Sequence, residues 1–268
     1  MKDVQAAASA PAAPARVYEE FFVPALFEQW GETMSACAGI EAGQRVLDVA
    51  CGTGALTRAA ARRSGAAGSV VGLDASEEML AVARLQLPSV EWLQGRAEAL
   101  PFADASFDRV VSQFGLMFFE DPALALAEMW RVLRREGRLA VAVCDAIDHS
   151  PGYAVLAELL QRLFGAAVAD AFRAPFALGD VARLRALCRS AGLADACVTR
   201  RDGRVRFASI RDLIRAEGAC VWTLGGLLDP EQLQHLAAAA QESLEPFVAG
   251  TAGLEFVMPA LIISAARC

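Results

Sequence analysis

Between residues 45 and 144 the chain alternates short apolar runs with amphipathic ones. Segments 45–50, 69–74, 90–95, 107–113 and 138–144 are apolar and of strand length. Segments 55–64, 76–86 and 122–135 between them carry apolar groups at helical spacing. Apolar strands separated by helices predict a parallel sheet covered on both faces. Right-handed crossovers then require a doubly wound α/β layout. Upstream, 17–40 reads as helix with a break at Pro24. Downstream the rhythm changes. Segment 152–172 reads as helix, 180–191 as helix ending at Gly192, 196–207 as a strand, and 209–247 as helix apart from "LGGLLDP". The last stretch, "LEFVMPALIISAARC", reads as one strand whose Pro259 predicts an edge position or a bulge.

Composition narrows the function. The 268 residues carry a net charge of −7, which disfavours nucleic acid as a partner; the Arg clusters at 131–138 and 199–206 read as a solvated helix end and a hairpin. No apolar stretch reaches the roughly 18–20 residues of a membrane span. The seven cysteines are scattered, with no CxxC pair, which argues against a disulfide framework and against a zinc site. Residues 1–15 are Ala/Pro-rich without a signal-peptide core, and predict a disordered leader on a cytoplasmic protein whose single domain spans 16–268.

The candidate chemistry begins at "VACGTG". Gly52 and Gly54 follow the first predicted strand, where glycine permits a tight turn and lets a ligand approach the backbone amides. Asp74 ends the second strand, twenty residues beyond Gly54, where a carboxylate can accept two hydrogen bonds from a ribose diol. Its competing reading is a helix N-cap, with Ser76 as the rival cap. Asp48, upstream of the turn, would oppose a pyrophosphate and suit a cationic ligand such as an ammonium or a sulfonium. A Gly-rich turn alone still leaves a dinucleotide site open.

Four stretches in order, "VLDVACGTG", "VVGLDASEEML", "AEALPFADASFDRVVSQFGLMFF" and "EMWRVLRREGRLAVA", resemble the successive motifs of the class I S-adenosylmethionine-dependent methyltransferases, in particular those similar to the ubiquinone/menaquinone biosynthesis methyltransferases. The resemblance covers about residues 40–145. It implies a Rossmann-like seven-stranded sheet with the last strand antiparallel, and helical lid insertions at about 17–34, 146–178 and 209–247. It implies S-adenosyl-L-methionine as cofactor and S-adenosyl-L-homocysteine as product. Ala50, Gly52 and Gly54 would run under the methionyl part, Asp74 and Ala75 would meet the ribose, and Met79 would pack on the adenine. Ala97 and Glu98 would meet the adenine edge, and Gln113 and Phe114 would lie beside the methionine moiety. Tyr18, Trp30, Asp48 and Arg96 complete the expected cofactor set. The chain departs from the family at Ala50, where glycine is common, and at Arg96, which stands where the family often has an Asp.

A sulfonium methyl is already activated, so the enzyme mainly supplies alignment and a dry pocket. A hydroxyl or acidic-carbon acceptor also needs a base. Of the two histidines, His149 follows the fifth strand at the ligand edge and is the candidate base, with Asp145 as its rival; His235 reads as a helix-surface residue. The "SQFG" after the fourth strand lacks the Asn/Asp-Pro-Pro-aromatic run of enzymes that methylate base amines. Aromatic residues in the lid segments (Tyr18, Phe22, Trp30, Phe172, Phe176, Trp222) suggest a small, partly apolar or aromatic acceptor. The expected partner is that small molecule, with no nucleic acid and no metal; a homodimer is allowed. The rival readings are a cofactor-binding protein without turnover and a nicotinamide-dependent reductase.

Overall fold

The computed structural model describes residues 14–250 and 253–267. Its centre is a seven-stranded sheet in the order β3-β2-β1-β4-β5-β9-β6. β1 (Arg45–Val49), β2 (Ser69–Asp74), β3 (Glu91–Gln94), β4 (Phe107–Gln113) and β5 (Leu133–Cys144) are mutually parallel. β9 (Ala260–Ala266) runs antiparallel between β5 and β6 (Cys197–Arg201). Alternation along the strands serves two cores. Val46, Val70, Val111 and Ala140 join the core on one face, and Leu47, Val71, Val110 and Leu139 the core on the other. This is why these strands read as continuous apolar runs.

The crossover helices are α3 (Ala55–Ser64), α4 (Glu77–Gln86) and α5 (Pro122–Val132). Ser76 caps α4, its Oγ accepting from the Met79 amide at 3.3 Å, and Asp121 caps α5, which has Pro122 in its first turn. The helix expected through residue 135 stops at Val132, because Leu133 already pairs with Phe107 and a bulge precedes the Arg109–Arg138 pair.

The remaining segments differ from expectation in instructive ways. The predicted leader at 1–15 lies mostly outside the described residues, and α1 (Pro14–Val17) already includes its last two positions. Pro24 does not break the next helix. Tyr18–Phe27 is a π-helix, and the Glu28 amide donates to the Val23 carbonyl five residues back at 2.8 Å. In an α-helix a proline ring clashes with the carbonyl four residues back; the wider turn relieves this. α2 (Trp30–Cys37) follows. Gly165 divides the helix expected at 152–172 into α6 (Pro151–Phe164) and α7 (Ala166–Arg173), and α8 (Val181–Ser190) precedes β6.

The single strand expected at 196–207 is two strands. β6 joins the main sheet, and β7 (Arg204–Phe207) pairs with β8 (Leu254–Val257) in a separate ribbon. The final strand is likewise divided, at Met258 and Pro259, into β8 and β9. Pro259 therefore lies in neither an edge strand nor a bulge. Lacking an N–H, it stands where the chain changes sheets. Between the ribbon strands come α9 (Ile210–Ala219) and α10 (Pro230–Ser243), the latter with a capping box from Asp229 and Gln232.

The sheet admits one tight approach that can be tested. A Cβ on Gly72 in β2 would stand 2.5 Å from two ring atoms of Trp92 in β3. Gly72→Ala should destabilise the protein by about 1–3 kcal/mol, the usual cost of overpacking. Urea denaturation should show a lower midpoint with an unchanged slope.

Candidate active site

The turn after β1 is built from left-handed residues: Ala50 (φ 56°), Gly52 (φ 56°) and Gly54 (φ 90°). Ala50 adopts the conformation despite its Cβ, a strained choice of the kind that collects at functional sites. The Asp74 carboxylate fastens the turn. One oxygen accepts from the Gly52 amide at 2.8 Å and the other from the Ser76 amide at 2.8 Å. Ser76 makes the helix cap, so Asp74 is not the cap and instead joins two loops. Burial raises the Asp74 pKa, and the amides of Ser76, Gly52 and Ala75 oppose the rise. Each carboxylate oxygen keeps a second lone pair for a ligand.

Asp74, Ala75, Ala50 and Gly52 line a cavity of about 440 Å³ at the carboxyl ends of the strands. Met79, Arg96, Ala97, Glu98, Gln113 and Phe114 line the same cavity. Gln113 donates through Nε2 to the Phe27 carbonyl at 3.1 Å, which leaves its Oε1 buried without a partner. The Arg96 guanidinium lies 2.8 Å from Glu120 and 3.4 Å from Glu98. Glu98 in turn accepts from the Glu120 amide at 2.9 Å.

Aromatic rings line much of the same cavity, and Tyr18 reaches the turn: a Cβ on Gly52 would stand 3.8 Å from its ring. Tyr18, Phe22 and Phe27 come from the π-helix, Phe172 and Phe176 from the segment after α6, and Trp222 from the loop after α9. Tyr18 stacks on Phe27 with ring centroids 5.3 Å apart and meets Trp222 edge-on at 6.1 Å.

Five expected site residues lie elsewhere. Trp30 is core: it is 3 % exposed and meets Phe114 edge-on at 5.7 Å, so it supports a wall residue from behind. Asp48 faces helix α3, and its Oδ2 accepts from Thr57 Oγ1 at 2.6 Å while Oδ1 is buried without a partner. Gly54 packs against Trp92, and a Cβ there would stand 2.6 Å from the ring. His149 and Asp145 are the largest departure. The His149 Nδ1 lies 2.9 Å from Arg200 and 3.1 Å from Asp145, and Asp145 is also paired with Arg200. This cluster fastens the end of β5 to β6. His149 opens on a separate surface cleft, and Phe176 belongs to the walls of both. The base position expected for His149 is therefore corrected: the ring is at the ligand edge but across Phe176 from the cavity.

Sequence reasoning missed two polar residues of the cavity wall, Tyr153 and Glu217. A signal was available. Ile210, Leu213, Ile214 and Glu217 share the buried stripe of α9, and the acid stands where an apolar residue belongs. Glu217 is 1 % exposed, and its Oε2 has no partner. Burial pushes its carboxyl up to about 7, against smaller lowering effects from Thr223 and Tyr153.

A strained glycine turn, an acid at the end of β2 and a cavity over the strand ends belong to a Rossmann-like fold, whose ligands bind in the crevice at the carboxyl ends of the strands. Residues 47–141 match the family described as methyltransferase domain. The chain is 42 % identical over 134 residues to the demethylmenaquinone methyltransferase of Renibacterium salmoninarum, covering 50 % of this chain and 55 % of that one. It is 42 % identical over 118 residues to the ubiquinone/menaquinone biosynthesis C-methyltransferase UbiE of Cronobacter sakazakii, covering 42 % and 47 % respectively. The chain thus spans about half the length of the curated relatives it matches. The fold is shared with the YcgJ protein of Bacillus subtilis, at a TM-score of 0.60 and 22 % identity over 90 % of this chain and 99 % of that one. Over that stretch the chain is thus similar to the S-adenosylmethionine-dependent methyltransferases of quinone biosynthesis.

The buried Asp48 has a consequence for stability. Burial raises its carboxyl from 3.8 to about 7. Folding thus favours the protonated form, and that contribution, complete below the unfolded value, is lost as pH rises through about 7. Asp48→Asn keeps an acceptor for Thr57 but does not titrate. From pH 4 to pH 8 the wild type should lose on the order of 2–4 kcal/mol relative to this variant. Denaturation midpoints of both proteins across that range provide the check; a constant difference would mean that Asp48 ionises normally.

Proposed function

We propose that the protein transfers a methyl group from S-adenosylmethionine to an O, N or C atom of a small, partly apolar or aromatic metabolite. One observation carries this reading: a single cavity is lined both by polar groups at the carboxyl ends of β1, β2 and β4 and by a set of aromatic rings. The donors and acceptors present fit the cofactor. Asp74 has free lone pairs for a ribose diol, and the buried, unpartnered Oε1 of Gln113 suits an ammonium N–H. Met79 and Ala97 offer apolar surface for a flat base, and Ala50 and Gly52 line the cavity where the methionyl chain would run. Because Arg96 is engaged by Glu98 and Glu120, we assign the base edge to main-chain groups near Ala97.

When bound, the cofactor supplies a methyl already activated on a sulfonium. The chain's own residues position the partners and exclude water. The rings of Tyr18, Phe22, Phe172 and Trp222 form the apolar surface against which an acceptor would lie, and desolvation there strengthens the polar contacts that remain. These four lie outside the matched stretch 47–141, whereas Phe118, which packs on Trp222, lies within it. The relatives' names point to quinone-type rings as the first acceptors to try.

Calorimetry should show binding of S-adenosylhomocysteine and none of NADPH; the reverse would sink the proposal. Asp74→Ala should weaken that binding by about 1.5–3 kcal/mol, the scale of hydrogen bonds to a charged group. A panel of ring acceptors with methyl-labelled cofactor tests turnover directly. On any acceptor so found, His149→Ala should keep turnover within about threefold, well short of the 10²–10⁴-fold loss of a general base.

A further inference from the structure

The cavity contains an acid that neither the fold nor the nucleoside end requires. Glu217 lies on α9, 1 % exposed, on the cavity wall, with Oε2 buried and unpartnered. The titratable groups around it are Tyr153 from α6, Cys144 from the end of β5 and Cys220 after α9. All three are raised by burial and stay neutral near pH 7. No cation perturbs Glu217; the groups that lower it are the hydroxyl-bearing Thr223 and Tyr153. A carboxylate kept only for structure is normally paired, since an unpaired buried acid is costly. Here the vacant lone pairs line a cavity beside the rings of Tyr153, Phe172, Phe176 and Trp222, the arrangement by which a mostly apolar pocket fixes a ligand through a few polar groups.

We propose that Glu217, with Tyr153 beside it, anchors the hydroxyl of an aromatic methyl acceptor and takes its proton during transfer. This rests on the methyl-transfer reading above and names its acceptor class. For reaction at oxygen, the new O–C bond forms as the sulfonium S–CH₃ bond breaks, and that electron pair stays on sulfur. The hydroxyl proton passes to a Glu217 oxygen, leaving a methyl ether, a neutral thioether and a carboxylic acid. The raised carboxyl, at about 7, makes the base half available near neutral pH. Its ionised form is the better acceptor, so hydroxyl binding should strengthen as pH rises through about 7.

The test uses the full chain saturated with S-adenosylhomocysteine and follows quenching of tryptophan fluorescence, Trp222 being on the cavity wall. The probes are 2-naphthol with 2-methoxynaphthalene, and phenol with anisole. At pH 8 the wild type should prefer each hydroxylated member by about 10–100-fold, the worth of a hydrogen bond to a charged acceptor. The preference should shrink on lowering the pH to 6. Glu217→Ala should abolish it, and Glu217→Gln should bind 2-naphthol with no pH dependence. Both variants should bind S-adenosylhomocysteine as the wild type does, which shows them folded and leaves the cofactor reading intact. Equal binding within each pair, no binding of either pair, or an unaltered pH profile in Glu217→Gln would overturn the proposal. A wild type that does not bind S-adenosylhomocysteine would overturn the methyl-transfer reading, and the anchor would fall with it.

Discussion

The site depends on the two amide hydrogen bonds accepted by Asp74. They join the turn after β1 to the start of α4, two loops separated in sequence by more than twenty residues. Without them the turn from Ala50 to Gly54 would be tied to β2 by the Cys51 amide's bond to the Leu73 carbonyl but not at Gly52, and its strain would favour other turns. The parallel sheet makes such a tie necessary, because every crossover leaves an irregular loop at the same edge. One carboxylate therefore holds the loops in place and still has lone pairs for a ligand. The two duties explain why a half-buried acid is retained there although burial opposes its charge.

The cavity above that edge is made from segments distant in sequence. Its polar groups come from the strand ends, whereas most of its aromatic rings come from the π-helix, the segment after α6 and the loop after α9. The division follows the chemistry. A nucleoside needs fixed amides and carboxylates, which rigid strand ends supply, and an acceptor needs shape, which side chains on helices can vary without disturbing the sheet. The π-helix contributes by accommodating Pro24 while it carries Tyr18, Phe22 and Phe27 to the wall.

The strands of the parallel half were legible because both faces are buried, so their runs are apolar without interruption. Gly52 and Asp74 were legible because their spacing reflects a turn and a strand end. What failed was the direction of side chains. Asp48 and Trp30 occupy the right elements but point to α3 and to Phe114, and position along a strand does not reveal which way a side chain faces across it. His149 was placed at the correct edge, but the side of Phe176 on which it falls depends on how the 146–178 segment packs. Glu217 was overlooked because an acid in a helix ordinarily reads as solvated. Its place in the stripe with Ile210, Leu213 and Ile214 was visible, whereas its meaning required the cavity. Pro259 reads as a feature within a strand, although it marks, as Asp202–Gly203 does inside the stretch 196–207, where the chain leaves one sheet for another.

The insertion of β9 between β5 and β6 bears on how the chain is made. β6 touches the main sheet only through β9, so it has no place to dock until residues 260–266 exist. About sixty residues separate the end of β6 from the start of β9. At ordinary synthesis rates that interval lasts roughly 3–12 s. During it the outer edge of β5 presents unpaired backbone groups next to apolar side chains, the kind of surface on which other chains can pair. A nascent protein of this design has its cofactor loops and β1 to β5 in hand while its sheet remains open on one side. Closure then falls to the antiparallel strand, which arrives late and enters between two elements already made.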